Sequence, residues 1–351
     1  MTAKISVRPV WQSELAQSYK SPAELARALE LPDTWVKTHE SARQLFPMLV
    51  PKPFAALMKK GEPNDPLLLQ VAPHASEYLQ ASGFSHDPLQ ENGLEGPSGL
   101  LHKYESRLLI VFKGGCAVNC RYCFRRHFPY EEHSFGKTEQ EAALQYISQH
   151  PEVNEVILSG GDPLMASDPH IINFVKRLEA IASITRLRIH SRLPVVIPSR
   201  LTQALARELS STRLKIILVL HVNHANELSQ ELKHRLAEWR SAGVWLLNQT
   251  VLLKGVNNSV EALSSLSEKL FDWHVLPYYL HMLDRVQGAA HFDLPFSEVE
   301  QLYRGLLAKL PGFLVPKLVK EIPGESSKTP LLPRAHELPS TLHELLSEPP
   351  V

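Results

Sequence analysis

From Arg107 to Leu310 short apolar runs alternate with segments of helical period, and that alternation limits the chain to very few folds. The runs of strand length are Arg107–Lys113, Glu155–Ser159, Arg186–His190, Lys215–His221, Val244–Leu252 and Val275–Met282. Helical spacing predicts helices near Glu139–Gln149, Pro169–Ile181, Thr202–Ser210, Glu227–Ser241, Val260–Phe271 and Glu298–Leu310. Thr138 with Glu141, and Ser297 with Glu300, have capping-box spacing at two of those starts. Six strand-then-helix units imply an α/β fold of parallel strands, because parallel neighbours need a crossover. They close as part of a barrel or lie open as a doubly wound sheet. Either way chemistry gathers at the carboxyl ends of the strands. The polar motifs follow those ends: Gly114 to Cys123, Ser159 to Pro163, His190 to Arg192, His221 to His224, and Asp284.

Residues 1–100 read as a helical and irregular extension, 101–310 as the core and 311–351 as a C-terminal segment. Ser21-Pro22-Ala23-Glu24 is a helix start, with Ser as N-cap and Pro in the first turn. The first residues lack a secretory signal, and no stretch approaches the roughly 20 apolar residues that span a bilayer, so a cytoplasmic protein without a membrane partner is expected. Lys plus Arg (37) equals Asp plus Glu (37), which disfavours nucleic acid as the main partner.

All three cysteines fall in Cys116-Ala117-Val118-Asn119-Cys120-Arg121-Tyr122-Cys123. An odd, tight cluster is a poor disulfide framework and a good set of soft metal ligands. Three thiolates on a four-iron cluster leave one iron open, the mark of a catalytic site. The alternatives are a non-catalytic module built on a structural zinc completed by His127, or three unliganded core thiols. Glu155 to Pro163 runs from a strand into the Gly160-Gly161-Asp162 turn, where glycines permit positive φ and close backbone approach. Lys328 stands in a small-residue loop, Pro323 to Pro330.

The C-x3-C-x2-C motif, with an aromatic before its last Cys, resembles the signature of radical S-adenosylmethionine enzymes. That resemblance implies a partial (β/α)6 barrel and a [4Fe–4S] cluster on Cys116, Cys120 and Cys123, whose free iron chelates S-adenosylmethionine. It implies S-adenosylmethionine contacts at Gly160, Gly161 and Asp162, and at His221 and Gln249 on later strands. From about His102 to Pro330 the chain is similar to lysine 2,3-aminomutases. In that family the loop around Lys328 carries pyridoxal 5′-phosphate on the lysine, and His102-Lys103-Tyr104-Glu105-Ser106-Arg107 resembles the phosphate-gripping segment, through Lys103, Tyr104 and Arg107. The first of these is more often Arg, so a point charge replaces a fork. The resemblance also implies that Arg125 clamps the substrate carboxylate while Asp284 and Glu321 hold the ε-ammonium of lysine. Glu321 stands where free-lysine enzymes have Asp.

The strings Lys113 to Cys120 and Val286 to Phe292 look like those of the subgroup making (R)-β-lysine for translation elongation factor P. A stand-alone enzyme of free lysine metabolism is the alternative. Members of the latter type carry further cysteines and a longer tail, so no zinc and a lower oligomer are expected. Functional links to elongation factor P, its lysyl ligase, and an electron donor such as flavodoxin or ferredoxin follow from the same resemblance.

Overall fold

The computed structural model describes residues 8–91, 99–130 and 135–331. The expected tail beyond residue 331 lies outside them. Nine strands form one sheet in sequence order: β1 (Leu100–Tyr104), β2 (Arg107–Lys113), β3 (Glu155–Gly160), β4 (Arg186–Ser191), β5 (Lys215–His221), β6 (Trp245–Val251), β7 (Leu276–His281), β8 (Lys317–Lys320) and β9 (Thr329–Pro330). Strands β2 to β8 are all parallel, whereas β1 and β9 pair antiparallel at the two edges. Strictly sequential order with a helical crossover after each of β2 to β7 curls the sheet one way, and the two edges do not pair. The result is a partial barrel, not a doubly wound sheet.

Each expected strand is present. In β3 the central residues Val156, Ile157 and Leu158 are buried on both faces because helices cover the outside, whereas β4 and β6 alternate buried and half-buried positions. The crossover helices Lys137–Gln149, Asp168–Glu179, Gln203–Ser210, Gln230–Ser241, Val260–Asp272 and Phe296–Lys309 match the expected positions. Helix starts differ more. Gly136 and Pro295 occupy the N-cap positions where Thr138 and Ser297 were expected to begin capping boxes, so those residues lie inside their helices. Ser21 is the N-cap of Pro22–Ala28, but its side chain bonds to no helix amide. Glu227 falls in a 3-10 turn, and the helix after β5 starts at Gln230 behind Ser229, whose hydroxyl accepts from Leu232 N at 3.2 Å.

The short helices before β1 share one apolar core with the barrel. Trp11, Leu25, Phe54 and Leu68 belong to the same buried cluster as Leu158, Leu218 and Trp239. No helix among the described residues is long and apolar enough to cross a membrane.

Candidate active site

The loop after β2 carries the cysteines, and neighbours on both sides fix its path. On one side it is pinned by the lead-in. Arg121, fully buried, donates through Nε and Nη2 to Glu77 at 2.8 and 2.6 Å, and through Nη1 to the carbonyls of Phe46 and Pro47, both at 3.0 Å. Arg126 reaches the same Glu77 at 2.9 Å. Charges this deep persist only when paired, so this acid between two guanidiniums holds the cysteine loop to the first hundred residues. On the other side lies the turn after β3. Gly161 N donates to Lys113 O at 2.6 Å and Asp162 N to Gly115 O at 2.9 Å. A Cβ at Gly161 would stand 2.5 Å from Gly115 O, and Gly160 has φ +114°. The glycines therefore serve first to let two backbones touch.

Asp162 is buried and its carboxylate is fully engaged. It accepts from Ser191 Oγ at 2.8 Å, from the amides of Arg192 and Leu193 at 2.9 Å, and from Leu164 N at 3.0 Å. It ties the turn after β3 to the turn after β4, and no oxygen is left over for a strong ligand contact.

The three thiols line a cavity of about 530 Å³ inside the barrel, a volume typical of small-molecule sites. Burial, reinforced by the neighbouring thiols, pushes the Cys116 thiol well up and the Cys123 thiol to about 11. Three thiolates there call for a cationic centre. Arg192 supplies one cation, donating to Cys120 Sγ at 3.0 Å and also bonding the Tyr122 hydroxyl. Among the described residues no group of three or more His, Cys, Asp or Glu side chains is gathered around a single-ion point. His127 instead stacks on His86 and faces Gln287 O at 3.3 Å. A Cys3His zinc set is thus not assembled. A multi-iron cluster spreads its thiolates over separate metals and suits this loop better.

The opposite wall of the same cavity holds the aminomutase-like residues. Lys328, half-buried, pairs with Glu321, and Glu321 also accepts from Tyr104 Oη at 2.5 Å. The guanidinium of Arg107 lies over the Tyr104 ring at 4.0 Å and has no acidic partner among the described residues. Lys103 Nζ and Arg125 both bond Glu91, a buried acid that no motif marks. The Asp284 side chain faces the cavity with no hydrogen bond or ion pair among the described residues, and burial raises its carboxyl to about 7. Gln249 Nε2 lies 2.9 Å from His221 Nε2, and the imidazole, driven down to about 3 by burial and then Arg192, accepts in neutral form. His190 and His281, at the ends of β4 and β7, line the cavity, and each has a buried Nε2 without a partner among the described residues. Every residue expected at the site except His127 lines this one cavity. Glu77 and Glu91 were not expected, and Arg192 was named only within the polar stretch after β4. Their basic or thiol partners lie from 12 to 72 residues away in sequence, beyond any local pattern.

The profile of the 4Fe-4S single cluster domain family matches residues 106–241, which include all three cysteines. The L-lysine 2,3-aminomutase of Escherichia coli is 50% identical over 332 residues, covering 94% of this chain and 97% of that protein. The enzyme of the same name from Haemophilus influenzae is 50% identical over 319 residues, 91% of this chain and 94% of its own. That of Clostridium subterminale is 36% identical over 281 residues, 80% of this chain and 67% of the longer protein.

Proposed function

The chain belongs to the lysine 2,3-aminomutase family of isomerases, and from that premise we propose that it converts L-α-lysine to (R)-β-lysine with a [4Fe–4S] cluster, S-adenosylmethionine and pyridoxal 5′-phosphate. The observation that carries the reading is the shared cavity: the three thiols of the loop after β2 and Lys328 of the loop before β9 face one space. When bound, the cluster with S-adenosylmethionine supplies hydrogen abstraction from an unactivated carbon, and pyridoxal phosphate supplies the carbonyl that carries the migrating nitrogen.

Cys116, Cys120 and Cys123 would hold the cluster, and Arg192 offsets charge at Cys120. Lys328 would carry the pyridoxal group, with Lys103 and Arg107 as cations for its phosphate. The side chains of His190 and His281 line the same space, each with a buried Nε2 that has no partner among the described residues.

Substrate selection follows from charge. Arg125 offers Nη1 toward the carboxyl end of β3, where it meets Ser159 Oγ at 3.2 Å, and a substrate carboxylate bonds it there. Asp284 has no ion-pair partner among the described residues, and an ε-ammonium provides one. Glu321 pairs with Lys328, and with the pyridoxal group on that lysine Glu321 would be available to the substrate tail. Two acids at the far end favour lysine over glutamate.

We assign the product to β-lysylation of translation elongation factor P. Support comes from the strings Lys113 to Cys120 and Val286 to Phe292; the second packs beside the residues that follow the first, with Phe292 edge-on to Tyr122 at 6.3 Å and Gly288 so close that an added Cβ would stand 2.6 Å from Arg126.

The test is incubation of anaerobically reconstituted protein with S-adenosylmethionine, reductant and L-α-lysine. β-Lysine is the expected product, and unchanged α-lysine with an intact cluster contradicts the reading. For the use of the product, elongation factor P from cells lacking the gene should weigh less by one β-lysyl group.

A further inference from the structure

We propose that Glu91 is a positioning residue that locks Arg125, the cation for the substrate carboxylate, and Lys103, a cation for the cofactor phosphate, into one fixed register. The inference deepens the proposed function and rests on it. Three separate stretches meet here: Glu91 from the lead-in, Lys103 from β1 and Arg125 from the cysteine loop. Glu91 Oε2 accepts from Arg125 Nε at 2.6 Å, while Oε1 accepts from Arg125 Nη2 and Lys103 Nζ, both at 3.1 Å.

Two cations aimed into one low-dielectric cavity repel each other, and Arg125 is only 6% exposed, so water cannot screen it. An anion between them removes that repulsion. The carboxylate also does what charge alone cannot. A guanidinium is a rigid planar fork, so gripping its Nε/Nη2 edge fixes the direction of Nη1. Here Nη1 points to Ser159 Oγ and Gly160 O, at 3.2 and 3.4 Å, the rim where β3 opens into the cavity. The second grip, on Lys103, sets the phosphate cation relative to that fork. Substrate carboxylate and cofactor phosphate are then held at one separation, which places the substrate's reacting carbons against the carbonyl end of the cofactor. The acid stays ionised throughout, being held at about 2 by Arg125 and Lys103 against the opposing effect of burial.

A neutral amide of equal size cannot replace it, because its NH2 group would face a cation. In reconstituted holoenzyme, Glu91→Gln is expected to raise the KM for lysine roughly ten- to hundredfold, the worth of charge-assisted hydrogen bonds, with a smaller fall in kcat. Titration with pyridoxal 5′-phosphate, followed by absorbance, should show weakened binding, and iron and sulfide content should match the wild type. In a cycle with Arg125→Gln, the double variant should have a lysine KM no worse than Arg125→Gln alone. An unchanged KM together with an unchanged pyridoxal titration overturns the proposal. So does a lower KM, which would mean that Glu91 competes with the substrate for Arg125. If Glu91→Gln does not fold, Glu91→Asp carries the test: its shorter reach should keep one cation and lose the other, and two unmoved constants refute the role. The titration needs no turnover, so it judges Glu91 even if the wild type forms no β-lysine, an outcome that counts against the proposed function instead.

Discussion

Tyr104 donates its hydroxyl to Glu321 at 2.5 Å, joining β1 at one edge of the open sheet to the segment just past β8 at the other. The backbone never closes this barrel, but side chains do. Glu321 is also the ion-pair partner of Lys328, so the closure and the lysine loop are one assembly.

Tyr104→Phe therefore loosens the seam. The expected cost is about 1.5–3 kcal/mol in denaturant-unfolding free energy, the range for a hydrogen bond to a charged group. Iron content should not change, because the cysteine loop is held elsewhere.

Asp284 predicts a pH dependence. Burial raises its carboxyl to about 7, so it is mostly protonated below that pH, and a cationic substrate needs it ionised. The KM for lysine should rise as pH falls through 7, and Asp284→Asn should have a high KM that no longer responds there. Stability runs in the opposite direction. A folded value above the unfolded one near 4 means the folded protein binds the extra proton between those values, so the contribution to stability declines from about pH 4 to 7. Thermal melts should place Asp284→Asn above the wild type at pH 8, on the order of a few degrees, with the gap closing toward pH 4.

Glu77 sits between Arg121 and Arg126 with no exposed surface on its side chain. Glu77→Gln leaves two buried guanidiniums short of an anion, and the expected loss is about 3–5 kcal/mol. Reconstituted iron should fall with it, since Arg121 lies between two of the cysteines. Normal stability and iron loading in this variant would refute the pinning role of the lead-in.

Gly161→Ala puts a methyl 2.5 Å from Gly115 O and 2.7 Å from Gly114 O, against backbone that cannot swing aside. The two loops must part, and iron and sulfide analysis should show reduced cluster assembly. Gly243→Ala is a useful control. Its site has no atom within 4 Å of the added methyl, so any effect there comes from its positive φ alone.

Strands β2 and β5 were legible as short continuous apolar runs, such as Ile216 to Leu220, the mark of a strand covered on both faces, whereas β4 reads by the alternation of Leu187 and Ile189 with polar residues. The outer strands were not. β8 has four residues with only Leu318 and Val319 apolar, and β9 has two, so tertiary pairing rather than pattern makes them strands. Helix starts were misplaced by a residue or two where Gly136 and Pro295 cap in place of a Ser or Thr side chain. In the site, the thiols were readable from spacing. Asp284 and Glu321 were readable only through resemblance, because an isolated acid after a strand has no period. Glu77 and Glu91 left no trace, since what marks each is a pair of basic partners brought close by the fold.

Lys328 is proposed to carry the pyridoxal group in the chamber that the thiols face. Borohydride reduction of the anaerobic holoenzyme followed by peptide mass mapping tests it. Without lysine the pyridoxyl tag should sit on Lys328, and with L-α-lysine and S-adenosylmethionine present it should move to the free amino acid. A tag on another lysine, or none in protein that holds both its cluster and pyridoxal, contradicts the account.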